Sequence, residues 1–217
     1  EHAHNNNVLH RDIKPANILF GDFDEIILSD FGLAINYHAE PSNIQGYRPH
    51  QPLEIIEGNP MDRFSDIYAT GITFYRLLNN TNKLDFTFTT IDEWKKAVKR
   101  DKFPPRKFLP HIPEKIVKIL KKSIHKTKGT RYQNCNDFRQ AIDRLNFNID
   151  WVQVDDDNWT GHSNGDNYEI IKFKKRNGWT IDFKKNGIRK TENCCKGVPD
   201  DKVESEFFEV IRKTTLR

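Results

Sequence analysis

The sequence predicts an α+β protein in two parts, a mainly helical first part and a small C-terminal antiparallel meander with a closing helix. Three observations carry this. Across much of residues 67–145 apolar side chains recur at helical spacing, as in Ile116, Ile119, Leu120 and Ile124 set among lysines. Asn177-Gly178 and Asn186-Gly187 divide the later residues into short alternating runs, and such dipeptides suit tight hairpin turns because both central residues take positive φ. Between the two parts lies a polar stretch, Asp155, Asp156, Asp157, Asn158, Gly161, Ser163, Asn164, Gly165 and Asp166, of linker composition. A chain of 217 residues has room for one good-sized core and a small appendage.

In chain order, residues 1–20 read as a helix end, a loop from His10 to Asn17 and a strand at Ile18 to Phe20. Gly21 to Asp24 form a turn, and Ile26 to Leu28 return as the second strand of a hairpin. From Ala34 to Gly58 there is little periodicity, and Pro41, Gly46, Pro49, Pro52 and Gly58 argue for a long loop, of the kind usually kept for function. Helices follow at Ile67 to Leu78, Ile91 to Lys99, Pro113 to His125 and Asn136 to Leu145, the last capped by Asn134 or Asn136. Residues 149–166 are the expected linker. Within 167–217, strands at Tyr168 to Phe173, Trp179 to Lys184 and Ile188 to Thr191 give a three-stranded meander. A helix from Asp201 to Arg212 would bury Val203, Phe207, Phe208 and Ile211 against it.

Composition excludes several classes. With 36% hydrophobic and 30% charged residues, no run approaches the roughly 18 apolar residues of a membrane helix. The net charge is +4, and the basic runs Lys95 to Lys107 and Lys115 to Lys128 read as solvated helix faces rather than as a nucleic-acid surface. Three cysteines, Cys135 alone and Cys194 beside Cys195, make neither a disulfide framework nor a paired C-x-x-C zinc pattern, so free thiols in a reducing cytoplasm are expected. The chain opens on Glu1 without signal-peptide features, and an upstream segment is expected.

The chemistry concentrates near the amino end. His10-Arg11-Asp12-Ile13-Lys14-Pro15-Ala16-Asn17, followed after a hairpin by Asp30-Phe31-Gly32, resembles the catalytic loop and magnesium loop of eukaryotic-type protein kinases. Lys14, two places after Asp12, resembles the serine/threonine branch. Phosphoryl transfer to a hydroxyl needs a carboxylate beside the attacking oxygen and cations to neutralise charge on the transferred group. Asp12 suits the first role, Lys14 is a point charge for the phosphate, and Asn17 and Asp30 are hard oxygen ligands for Mg2+. The resemblance covers residues 1–148 and implies the C-terminal lobe of a protein kinase-like fold. With it come ATP and Mg2+ as cofactors and a protein as substrate.

Further positions match the family. Glu54 sits where an Ala-Pro-Glu triplet closes the activation segment, and Arg131 where an arginine pairs with that glutamate. Asp66 matches the aspartate that holds the catalytic loop's backbone. Two departures stand out. Pro52-Leu53-Glu54 replaces the triplet, and Tyr47 follows Gly46 where a threonine usually helps place the catalytic side chains, a departure that bears on the choice of acceptor hydroxyl. Because Arg11 is present, the resemblance implies an activation segment ordered by phosphate, with Ser42 the candidate site. The glycine-rich loop and the lysine of the smaller lobe are not in this sequence, so the chain is read as a fragment, inactive alone. For residues 167–217 no family is named, and they are read as a small regulatory or partner-binding domain. Its aromatic residues are read as core, and Cys194, Cys195 and His162 as ordinary side chains rather than metal ligands. The competing reading is an interaction protein that keeps the kinase scaffold for docking without phosphotransfer.

Overall fold

The computed structural model describes residues 1–23, 25–37 and 46–217, which form two compact units. Ser42 lies outside the described residues. The first unit comprises residues 1–109 and 116–142, and the second residues 110–115 and 143–217.

The first unit begins with α1 (His2–Asn5) and β1 (Val8–Leu9), then β2 (Ile18–Phe20), β3 (Ile26–Leu28) and β4 (Ile35–Asn36). β2 and β3 form the expected hairpin, with Ile18 opposite Leu28. β1 pairs with β4, Leu9 opposite Ile35. These pairings nest, so the loop from β1 to β2 and the loop from β3 to β4 emerge side by side. The expected long loop holds α2 (Leu53–Ile56) and a short 3-10 turn at Arg48–His50.

Next come α3 (Arg63–Leu78), α4 (Ile91–Lys99), α5 (Glu114–Ser123) and α6 (Cys135–Asp143). α3 starts earlier than apolar periodicity suggests because Asp62 caps it: its carboxylate accepts from the Phe64 and Ser65 amides while Ser65 Oγ accepts from the Asp62 amide. Thr90 and Glu93 form the same reciprocal box on α4. Tyr68, Ile72 and Tyr75 of α3 pack with Trp94, Val98, Phe103, Leu120 and Ile124 in one core. On another side of α3, Asp66, Thr73 and Arg76 are spaced seven and three residues apart and so share a face. Gly71 lets α3 approach closely, because a Cβ there would strike Ser123 and Ile124.

The second unit corrects two expectations. Residues 149–166 are not a linker, for they carry β5 (Asp150–Gln153) and β6 (Asn158–Ser163). The meander is therefore larger than three strands. β7 (Asp166–Lys175), β8 (Gly178–Lys185), β9 (Ile188–Arg189) and β10 (Cys195–Val198) complete a six-stranded antiparallel sheet of order β10-β8-β7-β6-β5, with β9 also on β8. Polar composition hid β6. Its hairpin is nevertheless marked by Asn164-Gly165, both at positive φ between the paired Ser163 and Asp166, as Asn186-Gly187 is between Lys185 and Ile188. At the third turn Lys175 pairs with Gly178, so Arg176-Asn177 occupies the corner. α7 (Val203–Thr215) lays Phe207, Val210 and Ile211 on Trp159, Ile170, Ile181 and Phe183 of the sheet. The buried Lys172 ammonium pairs with Glu204 and lies 5.1 Å from the centre of the Phe207 ring.

Candidate functional site

The four site residues expected from sequence lie on the two neighbouring loops, Asp12, Lys14 and Asn17 between β1 and β2, and Asp30 between β3 and β4. Asp66, on α3, anchors the first loop. Its Oδ1 accepts from the Arg11 amide at 2.9 Å, and its Oδ2 accepts from the His10 amide at 2.8 Å. Two backbone bonds to a buried carboxylate offset the cost of Arg11's left-handed conformation, φ 67°.

His10 ties the loops together. Its Nε2 donates to the Ser29 carbonyl at 3.0 Å, its Nδ1 accepts from the Asp12 amide at 3.3 Å, and its ring lies 4.6 Å from that of Phe31. Ile13 is held from the other side: its carbonyl accepts from His50 Nδ1 at 2.8 Å and from Thr73 Oγ1 at 3.4 Å. His50 Nε2 faces Arg76 Nη1 at 3.2 Å, so the ring donates at Nδ1 and accepts at Nε2. Burial, aided by the Arg76 charge, pushes its pKa down to about 4. The imidazole is neutral.

Asp12 is buried and both its oxygens are engaged. Oδ1 accepts from the Tyr47 amide at 3.0 Å, while Oδ2 accepts from Lys14 Nζ at 2.5 Å and Asn17 Nδ2 at 3.2 Å. Asn17 Nδ2 also donates to the Asp12 carbonyl at 2.8 Å, which fixes the amide and turns Oδ1 into its acceptor. Asp30 has φ 62°, and its Oδ1 accepts from the Gly32 amide at 3.4 Å. Its second oxygen is left to accept elsewhere.

Tyr47 reaches Asp12 through its backbone, a contact no side-chain comparison foretells. Its ring packs 5.1 Å from His50, with the Arg76 guanidinium 6.0 Å from the ring centre. Gly46 makes the approach feasible: at φ 92°, any Cβ would strike the Arg11 carbonyl. Arg11 itself donates through Nε to the Leu33 carbonyl at 2.5 Å. Glu54 and Arg131 meet as a fork, Nη1 to Oε1 at 2.5 Å and Nη2 to Oε2 at 2.9 Å. Sequence reading missed His4, His50, Thr73 and Arg76. Only Thr73 and Arg76 carried a usable signal, as polar residues on the helical face that bears Asp66.

Among the described residues no three His, Cys, Asp or Glu side chains gather as a metal cluster. Asn17 and Asp30 nevertheless suit Mg2+, which takes one or two protein oxygens and completes its shell with phosphate and water. Residues 1–143, which carry both loops, match the protein kinase domain.

The chain belongs to the protein kinase family.

Members of this family use ATP and Mg2+. A probable serine/threonine-protein kinase of Clostridium acetobutylicum is 31% identical over 151 residues, covering 67% of this chain and 23% of that protein. The serine/threonine-protein kinase PrkC of Bacillus subtilis is 28% identical over 166 residues, 72% of this chain and 26% of its own length. PknD of Chlamydia felis, also a serine/threonine-protein kinase, is 25% identical over 176 residues, 70% of this chain and 18% of that protein. The chain thus spans about a quarter or less of the length of these relatives. No helix among the described residues is long and apolar enough to cross a membrane.

Proposed function

We propose that the protein containing this chain is a serine/threonine kinase that transfers the γ-phosphate of ATP to a protein hydroxyl. The carrying observation is the setting of Asp12, whose carboxylate is aimed by the Tyr47 amide, Lys14 and Asn17 beside the loop of Asp30. Asp12 is the base that accepts or orients the acceptor hydroxyl's proton. Lys14, already charge-paired with Asp12, holds the phosphate oxygens. Asn17 Oδ1 and Asp30 would hold Mg2+, which supplies charge neutralisation to the phosphates when bound. The neutral His50 and Thr73 keep the Ile13 carbonyl, and with it the Asp12 backbone, in place. A cavity lined by Gly46, Arg48, Gln51, Phe86, Phe88 and Trp94 lies next to the segment that aims Asp12.

In this reading residues 1–148 are the C-terminal lobe and the sheet with α7 is a small domain that takes a regulatory partner. Phe20 and Phe23 of the β2–β3 hairpin are 78% and 90% exposed, with Leu19, Ile26 and Phe31 also open. That much apolar surface beside the proposed nucleotide site supports a second lobe covering it, and without it ATP binding should be weak. The test is phosphate transfer by the full-length protein and its Asp12→Asn variant. The proposal expects a loss of about a hundredfold or more in the variant, as for removal of a catalytic base. Equal rates would remove Asp12 from the mechanism. Failure of the wild type to bind Mg-ATP, with partner capture retained by residues 149–217, would favour the docking reading.

A further inference from the structure

Away from the two loops, three titratable side chains of the first unit stand in line. Cys135 Sγ lies 3.3 Å from His4 Nδ1, and His4 Nε2 lies 2.9 Å from Asp66 Oδ2. They come from α6, α1 and α3, and both ring nitrogens of His4 are engaged. Cys135 is also the first residue of α6, a nine-residue helix whose amino end Asn134 caps by accepting from the Asp137 amide at 2.8 Å. Two independent features therefore favour a thiolate there, the imidazole at Nδ1 and the partial positive charge of the helix start. Cys135 is half-buried, so small molecules can reach it.

We propose that Cys135 is a reactive thiolate, a modification site for peroxide-class oxidants, activated by His4 and linked through Asp66 to the loop that carries Asp12. Electrostatics agree with the geometry. Burial opposes charge on both groups, yet hydrogen bonds to Asp66 and Cys135 raise His4 to about 9, and the hydrogen bond and charge of His4, with a smaller part from the amino group of Glu1, lower Cys135. Tyr37 stands near His4, 6.0 Å between ring centres, and burial pushes its phenol up to about 12, so it adds no charge. The charges of Asp62 and Arg63, at the start of α3, act on Tyr37 in opposite directions. The other thiols are differently placed. Cys194 contacts the Lys190 carbonyl, accepts from the Phe183 amide and lies against Arg189 without an imidazole or helix start beside it among the described residues, and burial pushes Cys195 up.

In the reaction the Cys135 sulfur attacks one peroxide oxygen. The S–O bond forms as the O–O bond breaks, sulfur loses two electrons to the peroxide, and the departing hydroxide takes a proton from the His4 imidazolium. The products are a sulfenic acid, water and a neutral imidazole. Asp66 then loses its cationic neighbour while it still accepts from the His10 and Arg11 amides. The modification thereby reaches the backbone that sets Asp12.

The test uses the full-length protein, limiting iodoacetamide at about pH 6 and peptide mass spectrometry, then hydrogen peroxide with dimedone as the sulfenic-acid trap. Cys135 should be alkylated about tenfold faster than Cys194 and Cys195 and should be trapped first. His4→Gln should bring its rate down to theirs. Equal rates for the three thiols, or no change in His4→Gln, overturn the proposal. Should His4→Gln not fold, the wild-type alkylation rate against pH decides: an inflexion well below about 8.5 supports the thiolate, and one at or above it overturns it. Because the readout is covalent mass, it stands or falls apart from phosphotransfer.

Discussion

Glu54→Gln is the sharpest structural test of the first unit. The substitution keeps shape and removes charge. Arg131 has no exposed side-chain surface and Glu54 is 14% exposed, so water cannot replace the lost carboxylate. Arg131 keeps three carbonyls, His125 at 2.6 Å, Lys126 at 3.1 Å and Phe64 at 3.4 Å, and the Tyr68 ring centre at 4.8 Å. These satisfy donors but not the charge. Leaving a buried cation without its anion costs about 3–5 kcal/mol. Hydrogen exchange of the α3 amides, followed by mass spectrometry along a urea series, reports this unit separately from the second. With a urea slope of about 2 kcal/mol/M, the unfolding midpoint should fall by about 1.5–2.5 M. Lys99→Ala, which breaks the exposed pair with Glu57, is the control and should cost under about 1 kcal/mol. If Glu54→Gln fell in the control's range, the carbonyls alone would be holding Arg131, and the argument from stranded charge would fail.

Three further outcomes are expected. His50 titrates near 4 in the fold against about 6.5 when unfolded, so between those values the unfolded chain binds the extra proton; its stabilising contribution is whole above about 6.5 and is lost as pH falls through about 4. Unfolding free energies from urea at pH 7 and pH 4.5 should therefore converge in His50→Asn relative to wild type, on the order of 2 kcal/mol, and an unchanged gap would show another group responsible. Gly46→Ala places a methyl against the Arg11 carbonyl at a positive φ and should cost about 1–3 kcal/mol; faster exchange at the Arg11 and Tyr47 amides would report it, and wild-type protection would count against the close approach. Phe207→Ala empties the centre of the second core and should destabilise that unit by about 3–5 kcal/mol in urea, monitored by hydrogen exchange of the β7 and β8 amides, with α3 exchange as the reference.

Much of the site was legible because its parts are local. Asp12, Lys14 and Asn17 span six residues, and the hairpin that returns the chain to Asp30 is written in apolar alternation and a short turn. Such features depend on neighbours in sequence, which a linear reading sees. The sheet of the second unit was read short for the opposite reason. β6 carries Asn158, Thr160, His162 and Ser163, polar residues that look like linker until pairing with β7 gives their backbone partners. Asn164-Gly165 was the overlooked local clue.

By itself, then, the sequence determined that the candidate residues Asp12, Lys14 and Asn17 lie close together along the chain, and the periods that make α4, α5 and the hairpin form. Only the tertiary structure decided how Asp12 is aimed. Its partner Tyr47 is 35 residues away and contributes a backbone N–H, a donor that every residue but proline has and that no side-chain pattern can announce. The same holds for His50, which reaches the loop across 37 residues, and for Cys135, which meets His4 across 131. Their chemistry is set by burial and by opposite partners, and both exist only once the helices have packed.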